Sequence, residues 1–146
     1  MPHAVSLSEL TALVVEPSAM QAKLLGQSLS AAGVGNVQRA DSGATALAWM
    51  AAHPHALVVS AFHLPDMTGA DLIGRMRATP MLSQMPFILV SSETRFNVLD
   101  PVRQSGVSGI LPKPFTPEQL QAALHATLDF LNTDDMLETA GFDPEI

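Results

Sequence analysis

The side chains able to do chemistry in this 146-residue chain gather in four stretches, each directly after an apolar run: Glu16-Pro17-Ser18, Ser60 to Met67, Ser91-Ser92-Glu93, and Pro112 to Phe115. Between them they offer three carboxylates, several hydroxyls, the imidazole of His63 and the ammonium of Lys113. No serine has an evident base beside it, which argues against a hydrolase. The chain has no cysteine, so disulfides, thiolate metal sites and cysteine nucleophiles are excluded. His53, His55 and His63 match no zinc-ligand spacing and read as exposed loop histidines. Glu16-Pro17-Ser18-Ala19 lacks the glycines of a dinucleotide or P-loop turn, and no G-x-S-x-G elbow is present.

The elements that must position these groups follow from the apolar pattern. Ala12-Leu13-Val14-Val15, Ala56-Leu57-Val58-Val59, Phe87-Ile88-Leu89-Val90 and Gly109-Ile110-Leu111 are continuous rather than alternating. Strands of that kind belong to a parallel sheet covered on both faces. Asn36 to Ala40 is more polar and fits an edge strand. Between the strands lie helical segments with start signals. Ser18 with Gln21 reads as a capping box ahead of Leu24, Leu25 and Leu29, and Ser42 caps a helix carrying Leu47, Met50 and Ala51. Thr68 with Asp71 opens another through Leu72, Ile73 and Met76, stopped by Thr79-Pro80. Thr94 opens a short helix with Val98, Leu99 and Val102, and Thr116-Pro117-Glu118-Gln119 opens one striped by Leu120, Leu124, Leu128 and Leu131. Five strands alternating with five helices predict an α/β fold, a doubly wound parallel sheet with its site beyond the carboxyl ends of the strands.

With 47% hydrophobic residues, the chain is sized for one domain. The expected organisation is an N-terminal extension over residues 1–9, a domain over residues 10–131, and an acidic tail or linker over residues 132–146 with about one helical turn. The net charge of -7 is concentrated at the end, where Asp129, Asp134, Asp135, Glu138, Asp143 and Glu145 meet no Lys or Arg. That tail repels nucleic acid, and the scattered arginines and lysines form no basic stripe. The longest apolar run, Ala46 to Ala52, falls far short of the ~20 residues a membrane helix needs. No secretory signal opens the chain, so a cytoplasmic protein is expected. Its end at Asp143-Pro144-Glu145-Ile146 suggests a piece of a longer protein.

Three local patterns, in order and suitably separated, resemble the receiver domains of bacterial response regulators in two-component signalling. Leu13-Val14-Val15-Glu16-Pro17-Ser18 resembles the family's first strand ending in an acidic pair. Leu57 to Gly69 is similar to the segment in which an aspartate is followed four residues later by proline and eight later by glycine. Ser108-Gly109-Ile110-Leu111-Pro112-Lys113-Pro114-Phe115 matches the Lys-Pro-Phe signature after the last strand. The resemblance covers about residues 10–131 and implies a flavodoxin-like three-layer (βα)5 sandwich, with a cis Lys113-Pro114 bond.

In that family, the resemblance implies, an aspartate takes the phosphoryl group while the acidic pair and that aspartate hold magnesium. Counting four back from Pro65 puts Ala61 at the aspartate's position, and Pro17 stands where the second acid belongs. Only Glu16 remains as a side-chain ligand, so the magnesium site is expected to be lost and no cofactor is expected. Ser60 is one residue off and points to the opposite face of the strand. Ser91 occupies the hydroxyl position and Lys113 the lysine position, which leaves two readings. They form a residual anion site, or Ser91 satisfies local backbone while Lys113 pairs with Glu16. The position of the family's reporter aromatic corresponds to Ile110, which suggests a fixed switch.

The expected function is therefore that of a degenerate receiver, not an enzyme, acting by phosphorylation-independent protein interaction. Its expected partner, a signalling protein or an output domain, would meet the face of the fourth helix, fifth strand and fifth helix. Candidate contacts are Arg95, Phe96, Leu99, Arg103, Ile110 and Gln119, with Phe96 as the anchor, and a homodimer could use the same face. Two alternatives remain: a phosphorelay member using another acceptor or a downstream receiver, and a flavodoxin-type domain binding a small anionic ligand or cofactor near Ser91 and Lys113.

Overall fold

A computed structural model describes the backbone of residues 4–139 and the side chains of residues 4–132. Five strands, β1 (Thr11–Val15), β2 (Asn36–Ala40), β3 (Leu57–Ala61), β4 (Phe87–Ser91) and β5 (Gly109–Pro112), alternate with five helices. These are α1 (Ala19–Ala31), α2 (Gly43–Ala52), α3 (Gly69–Ala78), α4 (Phe96–Gln104) and α5 (Pro117–Thr139). The sheet is parallel throughout, in the order β2-β1-β3-β4-β5. This is the doubly wound flavodoxin-like α/β fold that the alternation predicts. Polar β2 lies at one edge, mostly exposed.

The continuous apolar strands divide by alternate residues between two cores. Leu13, Val15, Val58, Phe87 and Leu89 point to α2, α3 and α4, meeting Met50, Leu72, Ile73, Met76 and Leu99. Ala12, Val14, Leu57, Val59, Ile88 and Val90 point to α1 and α5, meeting Leu25, Leu29, Leu120 and Leu124. Period-two side chains and apolar surfaces on both sides explain why no strand alternates in polarity.

Four expectations about the helices need correction. In α1 the sheet-facing stripe is Ala22, Leu25 and Leu29, and Leu24 stands 57% exposed. One residue is about 100° on a helix, enough to turn Leu24 off the core. Ala51 is likewise exposed on α2, whose buried positions are Gly43, Ala46 and Met50. Helix α4 starts at Phe96 with Arg95 as its cap residue, later than Thr94. The Glu93 carboxylate accepts from the Thr94 and Arg95 N–H groups instead. Helix α5 runs unbroken to Thr139, beyond the expected single turn, because neither proline nor glycine interrupts the chain between Pro117 and Gly141. The tail from residue 140 onward lies outside the described residues.

The segment expected as an extension is tied to the domain base. Val5 exchanges backbone bonds with the Asn132 side chain, at 2.7 and 3.2 Å, and Leu7 O accepts from Gly35 N. No helix among the described residues is long and apolar enough to cross a membrane.

Candidate functional site

The carboxyl ends of β1, β3, β4 and β5 open into a cleft of about 330 Å³ lined by Glu16, Ala61, His63, Ser91, Ser92 and Lys113. Gln21 from α1 also lines it. The parallel registers Val15↔Ser60, Ala61↔Val90 and Ser91↔Pro112 bring these chain ends level. Four of the loops selected from the sequence thus converge as strand order requires.

Glu16 is 6% exposed, and its carboxylate has two internal partners. Oε2 accepts from Ser18 N at 2.7 Å, and Oε1 lies 3.7 Å from Lys113 Nζ. Lys113 donates its shorter bond elsewhere, to Gln21 Oε1 at 2.7 Å. Ser18 does cap α1 by accepting from Gln21 N, but the reciprocal arm read from the sequence is not made by Gln21. Glu16 supplies that arm and releases the Gln21 amide to the lysine. Sequence spacing could identify Gln21 as a cap partner, whereas its link to a residue 92 positions away depends on the fold.

Pro17 is exposed and absent from the cleft lining. Its carbonyl and that of Glu16 accept from the Arg39 guanidinium, at 2.9 to 3.2 Å, which pins the end of β1 to β2. Ala61 presents a methyl group to the cleft. Ser60 is fully buried and donates to Ala61 O at 2.8 Å. Ser91 Oγ accepts from Glu93 N at 3.0 Å, orienting the loop before α4. Beneath the cleft, Gly69 lets α3 start against β3: a Cβ there would stand 2.9 Å from both Ala61 O and Leu89 Cδ1.

Asp66, which sequence reading passed over, caps a neighbouring helix. Its oxygens accept from Gly43 N and Ala44 N, each at 2.9 Å, and these bonds lower its pKa below the ordinary aspartate value. The Lys113-Pro114 peptide is cis. The three loop histidines are exposed: His53 stacks on Trp49 and His63 packs edge-on against Phe62.

A model of the response regulator receiver domain matches residues 12–125, most of the chain. The chain belongs to that family. The chemotaxis protein CheY of Pseudomonas aeruginosa is 28% identical over 82% of this receiver and 97% of its own length. CheY-3 of Vibrio cholerae is 30% identical over 77% and 86%. Among solved structures, a sensor protein from Polaromonas superposes with TM-score 0.75 at 28% identity, covering 83% of this receiver and 97% of that chain. CheY4 of Vibrio cholerae superposes with TM-score 0.71 at 27% identity, covering 80% and 96%.

On the second region singled out from the sequence, the face of α4, β5 and α5, the receiver exposes Arg95, Phe96, Arg103 and Gln119 and half-buries Ile110. Phe96 is 73% exposed, with the Arg103 guanidinium 5.7 Å from its ring centroid. Arg95 is held by Glu93, and Gln119 accepts from Thr116 N to cap α5. Leu99 does not belong to this surface. It is 4% exposed and packs into the core beneath α4, because it lies on the inner face with Val102.

Proposed function

We propose that this receiver is degenerate and signals by binding a partner protein, without taking up a phosphoryl group. The observation that carries the reading is Ala61, a methyl group in the cleft where Lys113 and Ser91 would meet a phosphorylated side chain. A methyl group has no oxygen to attack a phosphoryl donor. Ser60 does not substitute for it, being buried on the other face of β3 with its hydroxyl committed to Ala61 O.

Magnesium does not fit the residues present. Pro17 offers no side-chain oxygen and Glu16 is engaged by Ser18 N and Lys113. A hard cation wants several free oxygens, which one engaged carboxylate does not supply. Among the described residues there is no cluster of three His, Asp or Glu side chains able to hold a metal. With no phosphoryl group to draw Lys113 from Gln21 and Glu16, nothing in the cleft throws a switch. The partner is a signalling protein or an output domain, and its docking surface is the exposed part of the α4, β5 and α5 face, anchored on Phe96 with Arg103 beside it.

The test is intact-protein mass spectrometry after incubation with acetyl phosphate and magnesium, on the wild type, Ala61→Asp and the double variant Pro17→Asp with Ala61→Asp. Wild type is expected to stay unmodified, while a restored aspartate gains one phosphoryl group. A phosphoryl group on the wild type would overturn the proposal, and mapping it would identify the acceptor.

A further inference from the structure

Beside the cleft lies a larger trough, of about 680 Å³, that shares Glu16, Gln21, Val90 and Lys113 with it. Its other walls are mostly apolar: Met20, Leu24 and Leu25 from α1, and Pro114 and Phe115 from the loop between β5 and α5. Met20 is 74% exposed and Leu24 57%, so both line the trough without serving the core. Ser28 and Phe115 also line a smaller cavity of about 230 Å³, together with Ala31, Ala32 and Leu120. The two cavities follow α1 from Gln21 to Ala32, a distance of about 16 Å at the rise of a helix. At the far end, Gln121 Nε2 donates to Ala32 O at 3.0 Å and bridges the helices.

Charge stands at one end of this track. Lys113 Nζ has three N–H groups and commits one, to Gln21 Oε1 at 2.7 Å, while Glu16 Oε1 at 3.7 Å is beyond hydrogen-bond length. The Gln21 Nε2 donor has no partner among the described residues. The acid there, Glu16, is 6% exposed and accepts from Ser18 N. Helix α1 adds no other acid, its single charged residue being Lys23. Donors grouped at an ammonium select an acceptor-only head, a carboxylate, and the apolar walls behind them select a hydrocarbon body. Helices α1 and α5 pack on one sheet face through Leu25, Leu29, Leu120 and Leu124. Packed helices stand about 8–10 Å apart, so the space between them admits a single chain rather than a helix about 10–12 Å across.

We propose that the trough binds a linear alkyl carboxylate, a fatty acid of medium length, with its head on Lys113 and Gln21 and its chain along Met20, Leu24 and Phe115. The head takes N–H groups that the cleft leaves over, so the bond from Lys113 to Gln21 stays in place. The site is separate from Phe96 and stands whether or not a protein docks there. The probe is decanoate, titrated below its micelle concentration into the full isotope-labelled chain and followed by amide shifts and thermal melting. Controls are decanol, which keeps the chain and drops the charge, and acetate, which keeps the head alone.

The expected result is saturable shifts at residues 20–28 and 113–115 and a raised melting midpoint. Lys113→Met and Leu24→Ser should each weaken binding about tenfold or more, with circular dichroism showing both folded, and Phe96→Ala should leave it unchanged. Decanol should bind about tenfold more weakly, and acetate should shift nothing along the track. Equal binding of decanol would reduce the effect to apolar adsorption and overturn the proposal. So would acetate shifts matching those of decanoate, which would leave an anion site alone. A lowered midpoint with shifts spread over Met81, Phe96 and Phe130 would show detergent action and overturn it too, as would sedimentation showing a dimer that Leu24→Ser dissolves.

Discussion

Lys113 at the carboxyl edge of the sheet and Arg77 at the opposite edge are both drawn inward, and they are held in different ways. The Arg77 guanidinium donates to four carbonyls, those of Ser105, Ser83, Met85 and Gly106, at 2.9 to 3.1 Å. It thereby ties α3 to the segments leading into β4 and β5. Lys113 makes one bond, to Gln21, and a longer ion pair with Glu16. A planar fork suits several fixed carbonyls at once, while an ammonium on a flexible stem can change partners. Burial lowers the Arg77 pKa, yet a guanidinium so placed stays charged. The base of the receiver is thus fastened by one cation with four fixed carbonyl partners, and the cleft is held by a network that can let go.

The largest effect should come from loosening the base. Arg77→Lys keeps the charge but cannot serve four carbonyls, and should cost about 2–4 kcal/mol of folding stability, since bonds to charged groups contribute about 1.5–3 kcal/mol each and the freed carbonyls regain some water. Urea unfolding would read this as a lower midpoint at unchanged slope. A loss below about 1 kcal/mol would show that water replaces the clamp and that the contrast with Lys113 is only geometric.

Next in size is Gly69→Ala, which tests the packing under the cleft. The added methyl would meet Ala61 O and Leu89 Cδ1, each 2.9 Å away. Overpacking of this kind costs about 1–3 kcal/mol. If the variant melts like the wild type, β3 and α3 can separate and the cleft floor is softer than the strand packing implies.

Lys113→Met should cost less, under about 1 kcal/mol, because a third of the lysine side chain is exposed and water screens its pairing. Thermal melting at low and moderate salt would check it. A loss as large as that of Arg77→Lys would break the comparison and make the Glu16–Lys113 pair a structural element.

Which of these features the sequence discloses follows from how local they are. Four of the strands are legible because each is a continuous apolar run, and Thr68 with Asp71 forms its capping box as the spacing says. The helix at α5 is legible at its start, where Thr116 and Gln119 cap each other, and not at its end, where nothing in the spacing marks a stop. Leu24 is misplaced by spacing because an apolar residue one position from a stripe is ambiguous on a helix, and only packing decides; Leu99, three residues before Val102, belongs to the inner stripe by its period, so counting it on the docking face conflicts with that period. Arg77 and Asp66 were invisible for a different reason. Their partners are backbone groups in distant segments, and carbonyls and amides carry no sequence signature. In the cleft, the positions of Glu16, Ala61, Ser91 and Lys113 follow from strand ends, while the diversion of Gln21 needs the folded loops.

The smallest effect concerns two carboxylates, exposed Asp66 and half-buried Glu93, that fasten loops beside the cleft. Asp66 has its pKa lowered from 3.8 by the Ala44 and Gly43 N–H groups, and Glu93 from 4.5, chiefly by the Arg95 side chain. A carboxyl group with a depressed folded-state pKa binds its proton more readily in the unfolded chain. Its contribution is therefore complete above the ordinary carboxylate range and lost as pH falls through the depressed value. Stability measured by urea unfolding between about pH 5 and pH 3 should decline more steeply for wild type than for Asp66→Asn or Glu93→Gln. Asp66 is exposed and so is Arg95, the partner of Glu93, so the difference should be slight and should shrink with salt. If Asp66→Asn alone flattens the curve, the cap on α2 dominates, and the Glu93–Arg95 pair leaves the start of α4, with Phe96 beside it, free to adjust to a partner.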